Sequence, residues 1–441
     1  MALARTASIL RAATADHPRV LRVLFYGQSI STPRWTERAV EELRSAYPNV
    51  AFDTRNLAIG GFDAEKLQWT VERDVREFYP DLIVFHVFGD HHAYEKIIRT
   101  FRSWTTADIV VSTDHVIEPV EPLCDAGFHL RLSAAPGCKG VLWFRQNSWT
   151  EYMSGVWIPA MARKYGLAVE PRREGWSAYL QRLALQPEQL LADSVHPNEA
   201  GWALMSHLFV AWFLQAVAER DPQILPDSPQ VVSLPLPQPG IPARYAFTGN
   251  RLELLSSSPL QGFVRVRIDG RAQQETDGCW LDSRTTPLPA EQDWPAIRQV
   301  RVDPSYHRAD TWTLRITGLN AAQDRFRFSL SSELLGADGA GNSQSRFRSP
   351  SGRVGIDPQQ WVLAAAVKNS GQGVPEGFSI QWHRSFVCGD EAAVTLPGGG
   401  SDQRYVIATN LANTSHVAEV ELSPTAPEIH EIRAYRPMLL D

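Results

Sequence analysis

Cysteine is scarce in this chain. Only Cys124, Cys138, Cys279 and Cys388 occur in 441 residues. No CxxC pair is present, which removes thiolate metal frameworks and thioredoxin-type redox chemistry. Buried or free thiols are the expected state, with a local Cys124–Cys138 pair as the alternative. Positive charge is not in excess either. Lys and Arg number 43 against 49 Asp and Glu, for a net charge of -6. That leaves no electrostatic footprint for nucleic acid. No apolar run reads as long enough to cross a membrane. The N-terminus has no long apolar core between Arg5 and Arg11, so it makes a poor signal peptide, and the cytoplasm is the expected location. Asn413-Thr414-Ser415 is a glycosylation sequon that fits chance as well as use.

Tryptophan, in contrast, is abundant, with 14 residues. Most are expected in the core, but an exposed indole suits the flat apolar face of a sugar ring. Hydrophobic residues make up 44% and charged residues 21%, as in ordinary globular chains. The length exceeds one ordinary core, so two domains are expected.

The first half alternates strand and helix. Val20–Tyr26 and Leu82–Phe88 are almost wholly apolar, as in strands covered on both faces. Further strands are predicted near 50–59, over 108–112 and over 140–144. Between them, Trp35, Ala39, Val40 and Leu43 share one face of a helix over 34–47. Asp63 caps a second helix, which Pro80 ends, and a third carries Tyr94, Ile97, Ile98 and Phe101. Helical stretches follow at 148–164, 175–185 and 199–218. This is an α/β pattern, a doubly wound parallel sheet over residues 1–220. Seven prolines between Asp221 and Ala243 then mark a stiff linker over 221–243. Beyond it the period falls to two, as in Val264, Val266, Ile268 and in Trp312, Leu314, Ile316. Residues 244–441 therefore read as an antiparallel β-sandwich. No internal repeat is evident.

Chemistry-bearing residues gather at the predicted strand ends. Gly27-Gln28-Ser29 follows the first strand, Asn56 to Gly61 the second, and Gly89-Asp90-His91-His92 the third. Asp193-Ser194-Val195-His196 stands just before the last helix. Strand-end loops of such a sheet open onto one rim. A serine there, with a carboxylate and an imidazole three residues apart, has the makings of an activated nucleophile.

In order and placement these segments resemble the SGNH (GDSL-type) hydrolase family over about residues 18–220. The resemblance implies Ser29 as nucleophile, His196 as its base and Asp193 as the carboxylate that orients the base. It implies an oxyanion hole from the backbone N–H groups of Ser29 and Gly61. The family's third donor is an asparagine, and His91 stands in its place here. Gln28 replaces the usual aspartate, and a similar Gly-Gln-Ser phrase occurs in esterases of O-acetylated sugars. Hydrolysis of a small O-acyl group, acetyl above all, on a carbohydrate or glycoside is the expected activity. A small-molecule or oligosaccharide ester is the expected partner, with no nucleic acid, membrane or cofactor; no oligomeric state is indicated.

Gln28, Asp90 and Trp35 are candidate substrate contacts, and Trp35, Trp104, Trp143 and Trp149 are candidates for stacking on a sugar. Asp114 and His115 after the fourth strand, with His92, are candidates for structural roles near the rim. The Asp and His residues of the rim are metal-ligand types, but they lack a ligand spacing such as HExxH, so no metal is expected. Two alternatives use the same residues: an acyltransferase on the same machinery, and an inactive chain whose β-half binds glycans.

Overall fold

A computed structural model describes residues 2–31, 33–117, 150–219, 230–259, 262–389, 391–424 and 429–439. Cys124, Cys138, Trp143, Trp149 and the strand expected over 140–144 lie outside the described residues.

Among the described residues, the N-terminal half is a parallel sheet of five strands, β1 (Arg19–Gly27), β2 (Val50–Asn56), β3 (Leu82–His86), β4 (Asp108–Ser112) and β5 (Ala168–Glu170). Their spatial order is β2-β1-β3-β4-β5, so the chain reverses direction across the sheet beside β1. Every described residue of β3 and β4 is buried, which is why their sequences show no alternation. Leu21, Val23 and Phe25 point to one core, while Leu24 and Tyr26 point to the other.

The helices α1 (Ala4–Ala12) and α2 (Pro33–Ala46) cover the first of these faces. α3 (Ala64–Leu67), α4 (Val71–Phe78) and α5 (His91–Trp104) cover the second. The helix expected to run unbroken from Asp63 to Pro80 is thus two helices. Asp63 caps α3, and Tyr79 ends α4 with a left-handed backbone. The N-terminal segment, which has no strong periodic signal, is tied down by Leu3, Ala7 and Leu10 in the core and by an Arg5–Asp81 ion pair.

The Glu199–Ala218 helix is long and apolar enough to cross a membrane by length and composition. Here Phe209 on its buried face packs against Trp35 of α2.

The C-terminal half is antiparallel and more divided than one sandwich. Strands Ala243–Gly249, Val264–Ile268, Arg271–Ala272 and Thr414–Leu422 form one sheet. Strands Val231–Leu234, Arg251–Ser256, Glu391–Thr395, Ser401–Ala408 and Ile429–Tyr435 form the sheet packed on it. Between them lies a core that includes Phe247, Leu254, Ile407 and Val420. Val231–Leu234 belongs to the stretch read as linker, yet it pairs in register with Ile432–Tyr435.

The chain leaves this sandwich after Ala272 and builds a second antiparallel unit over residues 280–386. It then returns to the sandwich at Glu391. Trp312, Leu314 and Trp382 of that unit share a core with the helices of the parallel sheet.

The thiol expectation is overturned at the neck of this insertion. Cys279 and Cys388, both buried, form a disulfide across 109 residues of chain. Composition cannot announce a bridge between residues so far apart. Closing a loop of this length restricts the unfolded chain, and losing such a bond costs about 2–5 kcal/mol. Reduction by dithiothreitol is therefore expected to lower the melting temperature by several degrees, and Cys279→Ala with Cys388→Ala to do the same without reductant.

Candidate active site

The rim of the sheet is built from its strand ends. β1 approaches β3 so closely at Gly27 that a Cβ there would stand 2.1 Å from the His86 carbonyl oxygen. Only glycine fits, and the chain then turns through a short helical turn, Ser29–Ser31. Asn56 at the end of β2 braces this turn. Its Nδ2 donates to the Ser31 carbonyl at 2.7 Å, and its Oδ1 accepts the Ala58 N–H at 3.1 Å.

Across the rim, Leu191 and Pro197 bridge, and the Ala192 N–H donates to the His196 carbonyl at 2.8 Å. Asn198 closes this loop by capping the last helix, accepting from the Gly201 N–H at 3.0 Å.

The loop presents Asp193 and His196 together. Asp193 Oδ1 accepts the Val195 and His196 N–H groups at 2.8 and 2.7 Å. Its Oδ2 pairs with His196 Nδ1 at 2.8 Å. The His196 N–H is the largest influence on this carboxylate, followed by the Val195 N–H, and its pKa is held down to about 2. An ionised Asp193 only accepts, so Nδ1 carries the imidazole proton and Nε2 is left as an acceptor. That nitrogen lies 2.8 Å from Ser29 Oγ. Ser29, His196 and Asp193 are thus joined by one directed line of hydrogen bonds. Both loop residues are open to solvent, with side chains 43% and 56% exposed for His196 and Asp193.

No protein-family model matches the sequence, and no curated protein matches it. Solved structures with similar folds are found at low identity. A two-domain esterase active on acetylated mannans is 14% identical, with 98% of this chain and 96% of that one covered and a TM-score of 0.34. An acetylxylan esterase from Geobacillus stearothermophilus is 17% identical over 45% of this chain and 95% of its own, TM-score 0.34. The acetyl xylan esterase AlAXEase is 17% identical over 44% and 99%, TM-score 0.34.

The remaining candidates divide. Gln28 is half-buried beside Ser29, and its carbonyl accepts the Ser31 N–H at 2.8 Å. Gly61 sits at an exposed turn with φ +73°, where a Cβ would meet the Trp294 ring at 2.8 Å.

Trp35 is not a substrate contact. It is 1% exposed, its indole donates to the Ile30 carbonyl at 2.7 Å, and it packs on Phe25 and Phe209. The Asp90 carboxylate is taken up as the cap of α5, where it accepts from the Ala93 N–H at 2.9 Å. His91 is only 3% exposed, and its ring packs edge-on against Tyr152 and Trp157. Burial lowers its pKa to about 4. It is a buried ring packed among aromatics.

Trp104 is half-buried with Arg76 over its face. Among the described residues no group of three or more His, Cys, Asp or Glu is arranged to hold a metal ion.

Asp114 and His115 brace the rim from behind. Asp114 accepts from His86 Nε2 at 2.8 Å. His115 Nε2 lies 2.7 Å from the Val195 carbonyl, which can only accept, so this nitrogen carries the proton. The contact holds the residue next to His196. Its ring packs on Trp176, and burial pushes its pKa down to about 4.

An unfolded histidine titrates near about 6.5, so between those pH values the unfolded chain binds more protons than the fold. Stability is therefore expected to rise with pH through this window and to be lost as pH falls from about 6.5 toward 4, by on the order of 3 kcal/mol at most from His115. Urea unfolding across that range checks this. His115→Gln should flatten the slope while His91 keeps its own share.

Proposed function

We propose that this chain is a serine esterase of the SGNH type, acting by two-step acyl transfer to water. The line of hydrogen bonds Ser29–His196–Asp193 carries this reading. Ser29 Oγ attacks the ester carbonyl carbon and gives its proton to His196 Nε2. The same nitrogen passes that proton to the departing alkoxide, leaving an acyl-Ser29 ester. Water then attacks that ester, losing its proton to His196, and the acid leaves as Ser29 regains its hydroxyl. Asp193, held ionised, keeps the imidazole in the tautomer this requires and stabilises its cation. The backbone N–H groups of Ser29 and Gly61 serve as oxyanion donors.

The Gly27-Gln28-Ser29 phrase favours O-acetyl groups on a carbohydrate as substrate. The solvent-open His196 and Asp193 favour water over a sugar hydroxyl as acceptor. We also infer a working compartment in which the Cys279–Cys388 bond persists, oxidising rather than cytoplasmic. A fluorophosphonate is expected to label the intact chain once, at Ser29, as read by peptide mass. Label on another residue, or none while p-nitrophenyl acetate is being hydrolysed, would falsify the assignment.

A further inference from the structure

Three parts of the chain meet around a cavity of about 330 Å³ that no triad residue lines. The α/β half supplies Arg22, Arg55 and Arg76, the sandwich supplies Arg251 and Arg404, and the inserted unit supplies Ser385. Three acids also line the cavity, and each is already engaged. Glu253 accepts from Arg251 at 2.7 Å and from the Tyr435 hydroxyl at 2.6 Å. Glu77 accepts from Arg55 at 3.1 Å and Arg73 at 3.0 Å. Asp282 accepts from Arg384 at 3.0 Å. The arginines also meet acids behind the wall: Arg76 donates to Glu72 at 2.8 Å, and Arg22 and Arg404 reach Asp53 and Asp402.

Arg22 and Arg404 are the telling pair. They are 6% and 4% exposed, and among the described residues their side chains hydrogen-bond through Nε, to Asp53 at 3.3 Å and to Asp402 at 3.0 Å, with the Arg22 guanidinium also lying over the Phe78 ring. Among the described residues no hydrogen bond reaches the Nη atoms of either side chain. Buried guanidinium groups are costly unless their donors are met. Burial lowers the Arg22 pKa, and Arg404 and Arg251 push the same way against Glu253 and Asp53, whereas Arg404, also buried, is held above its usual range by Asp81, Asp402 and Glu253. An oxyanion supplies acceptors to the Nη groups that open onto the cavity, since its two oxygens match the paired N–H groups of a guanidinium.

We propose that this junction binds a small organic anion, its carboxylate or phosphate head held by the Nη groups of Arg22 and Arg404. The volume leaves room for a body the size of a sugar ring. Such a ligand would clamp the parallel sheet to both β-units.

The test uses the full chain and follows melting temperature and calorimetric binding. Glucuronate, glucose 6-phosphate and inorganic phosphate are compared with glucose and with sodium chloride at matched ionic strength. At least one anion is expected to bind saturably and raise the melting temperature by about 2–4 °C. Glucose and chloride are expected to do neither. The preferred anion tells carboxylate from phosphate, and an equal response to phosphate and its sugar ester assigns the head alone.

Arg22→Gln and Arg404→Gln should weaken binding at least about tenfold. Ser385→Glu, which adds a carboxylate at the wall, should abolish the anion response without unfolding the chain. Absence of saturable binding to the wild-type chain overturns the proposal. So does an equal response to glucose, or binding unchanged in folded Arg22→Gln.

Discussion

Ser29→Ala is expected to lower hydrolysis of p-nitrophenyl acetate by about a thousandfold or more, with the melting temperature almost unchanged. The size of the effect follows from the geometry. Ser29 Oγ stands 2.8 Å from a nitrogen that can only accept, because Asp193 holds the ring proton on the other side. Without the hydroxyl no acyl-enzyme forms, and only the oxyanion donors and binding remain. His196→Ala should fall as far, since an unassisted serine hydroxyl is a poor nucleophile at neutral pH. Asp193→Asn should keep the loop's shape but lose its preference for the productive tautomer, at a cost of about a hundredfold or more.

Groups that act as one unit are not additive. Ser29→Ala combined with His196→Ala should therefore be no slower than Ser29→Ala alone. The pKa of Asp193 is held at about 2, so this carboxylate stays charged as pH falls and gives up its stabilising bonds only near that value. Loss of activity in mild acid is therefore not expected to come from Asp193. Steady-state rates for the four variants, with circular dichroism as a folding control, decide the matter. Activity surviving in a folded Ser29→Ala chain would remove the serine mechanism.

How much of this was legible beforehand depends on the range of the interaction involved. The parallel sheet could be read because strands buried on both faces are continuously apolar, as Leu82–His86 is. The Asp193–His196 pair could be read because three residues of one loop suffice to join them. Trp35 lies in the core and not at the site, and the signal for this is present in the sequence. It shares its helical face with Ala39, Val40 and Leu43, and that face is the core. Asp90 likewise precedes its helix by one residue, which is a capping position before it is anything else.

Other features had no local signal. The strand Ala168–Glu170 is three residues long, too short for a period to show. Alternation marked the β-strands but not their partners, so the insertion of residues 280–386 into the sandwich stayed hidden. The Cys279–Cys388 bond and the brace from His115 to Val195 join residues 109 and 80 apart.

Trp294 is the long-range contact with the largest expected consequence for catalysis. It lies in the inserted β-unit, is 3% exposed, and donates its indole N–H to the Gly60 carbonyl. Its ring meets Phe62 edge-on, with centroids 5.0 Å apart. Arg284 of the same unit reaches the Leu57 carbonyl at 3.4 Å and Asp74 at 2.6 Å. The loop that carries Gly61 is therefore held from outside its own domain. No side chain fits at Gly61, because the indole occupies the place of its Cβ. If the Gly61 N–H serves the oxyanion, its aim depends on this tryptophan.

Trp294→Ala is expected to cost about 3–5 kcal/mol of stability through the void it leaves. Trp294→Phe keeps a ring, loses the indole bond, and should cost only about 1 kcal/mol. In Trp294→Phe, kcat should nevertheless fall about tenfold or more with KM little changed, because a misaimed donor fails the transition state rather than the ground state. A purely structural tryptophan predicts the opposite pattern, in which the folded fraction of Trp294→Phe retains full kcat. Titrating active Ser29 with fluorophosphonate counts that fraction, so the rate per competent site separates the two.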